Sequence, residues 1–117
     1  MDLDTAINEH TQWKMKLRAA IADKAHLDSL SIGKDNNCPL GQWLHGEAKT
    51  KYGHLTTYKE CLSAHASFHR EAGRVAHLIN QQHYDQAAAA LAAGTPYISA
   101  SSLTGVAINK LKKEVVA

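Results

Sequence analysis

Histidine stands in this chain where a helix would place a core leucine. Between Leu3 and about Ala25, apolar residues recur at Leu3, Ala6/Ile7, Trp13, Leu17 and Ala20/Ile21. That spacing of three and four predicts an amphipathic helix. His10 lies three residues after Ile7, three before Trp13 and seven before Leu17, on the apolar stripe. A second long helix is predicted from about Thr56 to Gln82, with Tyr58, Leu62, Ala72, Ala76 and Ile79 on one stripe. His65 and His69, at i and i+4, continue it. Burying these two stripes buries three imidazoles, and buried polar groups need partners. A single such histidine is more often a hydrogen-bonded core residue than a metal ligand. Convergence of three, with a cysteine, is what points to metal.

The cysteine is Cys38. A short helix is predicted to start there, because Asn37 or Cys38 can cap it and Pro39 suits its first position; it is over by Gly46. At a helix start, backbone N–H groups and the helix dipole favour the thiolate, the form that binds metal. Three imidazoles and one thiolate suffice for a closed tetrahedral zinc site. The candidate metal ligands are therefore His10, Cys38, His65 and His69. Trp13 and Trp43 are expected to pack around them and exclude water.

The rest of the chain also reads as helix. Residues 26–37, with Gly33, Asp28, Asp35, Asn36 and Asn37, read as a connecting loop, and so does the stretch around Tyr52-Gly53-His54. Asp85 to Ala93 is alanine-rich and helical by propensity. Gly94-Thr95-Pro96 then ends one helix and opens another, whose inner face is expected to hold Ile98, Gly105, Ile108, Leu111 and Val115. The predicted fold is all-α: an antiparallel four-helix bundle with an additional short helix carrying the cysteine, as one domain over residues 1–117. His26, His45, His54, His77 and His83 read as surface or loop residues, and Cys61 as a buried structural cysteine.

Composition removes several function classes. A net charge of +2, with acids and bases interleaved, gives no footprint for nucleic acid. No apolar run approaches the roughly 20 residues of a membrane span. Two cysteines are too few for a disulfide scaffold, and Met1-Asp2-Leu3-Asp4 does not resemble a signal peptide, so a cytoplasmic location is expected.

The segments His10-Thr11-Gln12-Trp13, Cys38-Pro39-Leu40-Gly41-Gln42-Trp43-Leu44 and His65-Ala66-Ser67-Phe68-His69 resemble, in order, the three motifs of the chemoreceptor zinc-binding (CZB) domain family, H…C-x-[LF]-G-x-W-[LIY]…H-x-x-x-H. The resemblance runs from His10 through the C-terminal helix. It implies zinc held by His10, Cys38, His65 and His69 in an all-α bundle that is usually a homodimer. It further implies a cytoplasmic setting in bacterial chemoreceptors, with an attached or associated chemoreceptor signalling domain, or in some diguanylate cyclases. Family members are linked to sensing zinc and oxidants such as hypochlorous acid. Asp35, three residues before Cys38, is similar to an acidic position often seen there.

The expected function is thus a zinc-binding sensory domain, not an enzyme. Cys38 would be its redox-sensing group, since a thiolate oxidises where imidazoles do not. Asp35 would sit behind the ligands, either hydrogen-bonding a ligand histidine or exchanging with the thiolate; an Asx turn with Asn37 is the plainer alternative. A zinc hydrolase would need an open metal position and a carboxylate base, and Glu71, two residues after His69, falls on another face. A di-iron bundle would need inward carboxylates that these stripes lack. A structural, zinc-stabilised dimerisation module is the remaining alternative.

Overall fold

The computed structural model describes residues 1–115, which form seven helices and no strand. In chain order these are α1 (Leu3–Asp23), α2 (Ser29–Ile32), α3 (Pro39–His45), α4 (Glu47–Tyr52), α5 (Thr56–Asn80), α6 (Tyr84–Ala90) and α7 (Pro96–Val115). The all-α expectation holds. The short helix α2 occupies a stretch whose composition reads as loop, a second short helix α4 precedes the Tyr52-Gly53-His54 turn, and α6 stops at Ala90, three residues before the predicted end. Asp28 starts α2 by accepting from the Ser31 amide at 3.1 Å, a capping signal hidden among turn-forming residues. Asp2 caps α1 in the same way, accepting from the amides of Asp4 and Thr5.

Two apolar clusters make the core. One gathers Leu17, Phe68, Ala72, Val75, Ile79, Leu91 and Tyr97. The other gathers Leu3, Leu40, Leu44, Tyr58, Cys61, Ile108 and Leu111. Each long helix contributes to both and carries a buried polar residue in between. On α1 this is His10, between Ala6 and Leu17; on α5 it is His65, between Cys61 and Phe68; on α7 it is Thr104, between Ala100 and Ala107. Thr104 satisfies itself, its hydroxyl lying 2.7 Å from the Ala100 carbonyl and 3.0 Å from that of Ala64. The inner face of α7 is Tyr97, Ala100, Thr104, Ala107, Ile108 and Leu111. Ile98, Gly105 and Val115, expected there, are only half-buried.

Local contacts then hold the loops to this frame. Asn80 clamps the chain after α1, its side chain accepting from the Leu27 amide at 2.8 Å and donating to the Leu27 carbonyl at 2.7 Å. Lys112 on α7 pairs with Asp4 on α1. The short helix α2 lies directly on α5 because two glycines meet: a Cβ on Gly73 would come within 2.8 Å of Gly33 Cα and 3.1 Å of Gly33 N. Backbone cannot yield as a flexible side chain would. Gly73→Ala is therefore expected to lift α2 and cost about 1–3 kcal/mol of stability. Urea denaturation of the metal-free protein would measure the loss; an unchanged midpoint would contradict the contact.

Candidate metal centre

The polar layer between the two clusters is where the candidate ligands meet. α1 delivers His10, α5 delivers His65 and His69 one turn apart, and Cys38 reaches in from the start of α3. One donor atom from each of the four lies within 4.8 Å of every other. Cys38 Sγ is 3.2 Å from His65 Nε2, 3.6 Å from His69 Nε2 and 3.9 Å from His10 Nε2, and the Nε2 atoms of His65 and His10 are 3.1 Å apart. Ligands placed tetrahedrally at ordinary Zn–N and Zn–S bond lengths stand roughly 3.3–3.6 Å from one another. The cluster thus has the dimensions of a zinc site.

Hydrogen bonding fixes which ring nitrogens face inward. His10 Nδ1 lies 2.7 Å from the Ala6 carbonyl, and His69 Nδ1 lies 2.9 Å from the Ile32 carbonyl. A carbonyl only accepts, so both Nδ1 atoms carry the proton. Burial holds His10 and His69 below their ordinary pKa, so both rings are neutral and present bare lone pairs at Nε2. His65 is pushed down to about 2, first by burial and then by its neighbours His69 and His10. Among the described residues its buried Nδ1 has no partner. His65 either donates from Nε2 to His10 Nε2 across 3.1 Å or, with its proton on Nδ1, adds a third lone pair for a bound cation. These donors fit a zinc ion.

Cys38 departs from expectation. Its sulfur does cap α3, accepting from the Gly41 amide at 3.3 Å, but burial outweighs the backbone N–H groups and raises the thiol above its ordinary pKa. Helix placement alone therefore does not supply the thiolate. A bound metal must displace the proton.

The surrounding residues divide unevenly. Trp13 packs edge-to-face on His69, with ring centroids 6.4 Å apart. Trp43 instead packs on Tyr52, beside the cluster of Leu40 and Leu44. The aromatic wall that periodicity did not single out is Phe68, edge-on to both His10 and His69 at 5.3 Å. Asp35 bonds neither a histidine of the cluster nor Asn37: its carboxylate accepts from His45 Nε2 at 2.8 Å, while Asn37 donates to Ser31. Cys61 is fully buried, its thiol pushed up to about 12 by desolvation.

Residues 10–76, more than half of the chain, match the family model of the chemoreceptor zinc-binding domain. The chain belongs to the CZB family. The match contains all four candidate ligands and ends at Ala76, so α6 and α7 lie beyond it, short of the expected reach through the last helix. No curated protein and no solved structure matches the chain. The cofactor of this CZB domain is zinc, and its polar layer has the donors to hold it. Among the described residues, no helix is long and apolar enough to cross a membrane.

These shifts set the proton balance of metal uptake. The histidines are already neutral near pH 7, whereas Cys38 is still protonated. Zinc binding should release about one proton, and affinity should fall on the order of tenfold per unit as pH drops from 8 to 7. Calorimetry in buffers of differing ionisation enthalpy counts the protons. Release of three or four would mean that the histidines are charged beforehand.

Proposed function

We propose that this CZB domain is a cytoplasmic zinc-dependent sensory module and not an enzyme. In this reading His10, Cys38, His65 and His69 hold one Zn²⁺ per chain, and the metal or redox state is passed to an attached or associated chemoreceptor signalling domain. The closed donor set carries the reading. Three nitrogens and one sulfur at tetrahedral spacing leave no open position for water or substrate. Nor does Glu71 serve as a base, since its carboxylate pairs with Arg74 at 3.2 Å. In this reading α1, α5, α6 and α7 act as an antiparallel four-helix bundle, with α3 laid against it, in a homodimer.

The chemistry of the single sulfur supports a redox role. Hypochlorous acid would transfer oxygen to the Cys38 thiolate, giving sulfenic acid and chloride. The sulfur would then be a poorer donor, and α3 would lose its tie to α1 and α5. Such an element, with two arrangements, is what a switch requires. Regulation of a diguanylate cyclase uses the same centre with a different output. A structural dimerisation module is favoured only if the metal proves dispensable and unresponsive.

Mass spectrometry of native protein, before and after stoichiometric hypochlorous acid, tests this reading. One zinc per chain is expected, with release or a helicity change on oxidation in wild type but not in Cys38→Ser. Full zinc retention in Cys38→Ser, with no oxidant response in wild type, would leave a three-histidine site and refute the thiolate switch.

A further inference from the structure

The sulfur sits at the end of a segment fastened by a pair that the zinc reading does not use. Asp35 lies three residues before Cys38 and His45 seven after, so they bracket α3. Asp35 grips the helix at two levels. Its carbonyl oxygen presses on Gly41, where an added Cβ would fall only 1.6 Å away. Its carboxylate accepts from His45 Nε2 at 2.8 Å, one turn further along. The incoming chain is thereby folded back over the helix that it starts, with Cys38 at the bend.

The other end of the same segment is fastened to the centre as well. Ile32 accepts from His69 Nδ1, and Asn37 donates to the Ser31 carbonyl at 3.1 Å and hydroxyl at 3.0 Å. Residues 32–38 thus run from the partner of one donor to another donor. On its far side α3 is anchored through buried Leu40 and Leu44, and the Tyr58 hydroxyl donates to the Leu44 carbonyl at 2.6 Å. The Asp35–His45 pair is the side-chain link that closes the loop at the surface.

We propose that Asp35 and His45 form a clasp that holds Cys38 Sγ at the donor cluster and sets how readily the sulfur leaves it. They are positioning residues, not ligands. Opening the clasp frees the 34–37 segment to swing from α3, exposing the sulfur to solvent and speeding zinc loss. The pair is part-exposed, with side-chain accessibilities of 44% for His45 and 26% for Asp35. Its effect should therefore be a modest change in rate, about two- to fivefold, rather than loss of binding.

The inference rests on the zinc reading only for its metal arm, and a second arm works without metal. Zinc transfer to excess 4-(2-pyridylazo)resorcinol would be timed for wild type, Asp35→Ala, His45→Ala and the double variant. Alkylation of Cys38 by iodoacetamide would be followed in the metal-free proteins by peptide mass spectrometry. Each single variant should speed both processes about two- to fivefold, and the double variant no more than either single. Asp35→Asn, which keeps an acceptor oxygen in place, should return both rates to within about twofold of wild type. Unchanged rates in both single variants, or effects that multiply in the double variant, would overturn the clasp. A wild type without zinc would defeat the zinc reading alone, and the alkylation arm would still decide the clasp.

Discussion

Two backbone carbonyls decide the chemistry of the centre. By accepting from Nδ1, the Ala6 and Ile32 oxygens turn the Nε2 lone pairs of His10 and His69 inward, in a layer where water is largely excluded. Without a cation, His65 Nε2 can donate to His10 Nε2 at 3.1 Å, and among the described residues its Nδ1 has no partner. An unmade buried hydrogen bond costs about 1–3 kcal/mol. Structural zinc contributes on the order of 10–16 kcal/mol in zinc-finger peptides. A bound metal would contribute far more than the metal-free layer costs, so the layer suits a binding site.

The remaining architecture serves this placement. Apolar clusters on either side fix α1, α5 and α7, and so fix His10 and His65 at a common level. The Gly33–Gly73 contact brings α2 close enough to α5 for Ile32 to reach His69. Gly41 lets Asp35 press against α3, and Cys38 follows. Loss of the sulfur from the cluster would therefore be felt first in residues 32–45, while the long helices keep their own apolar contacts.

The positions of His10, His65 and His69 were legible because helical periodicity is a property of spacing, and each lies on a stripe of apolar residues. Cys38 was legible through the Asn-Cys-Pro start of α3. What escaped depends on tertiary contact or on competition between effects. Ile32 looks like an ordinary loop residue until the two glycines dock α2 on α5. Thr104 and Ala100 carry little hydropathy, so periodicity finds Ile108 and Leu111 on the inner face of α7 but misses these two. Phe68 lay beside the histidines in sequence, yet the larger Trp43 was expected to wall the site. For Cys38, the helix start and burial act in opposite directions, and burial is stronger.

The most direct test of the centre is X-ray absorption at the zinc K-edge on the zinc-loaded protein. A first shell of three nitrogens near 2.0–2.1 Å and one sulfur near 2.3 Å is expected, with the sulfur lost in Cys38→Ser. A shell of nitrogen and oxygen alone in the wild type would contradict a closed centre built on Cys38.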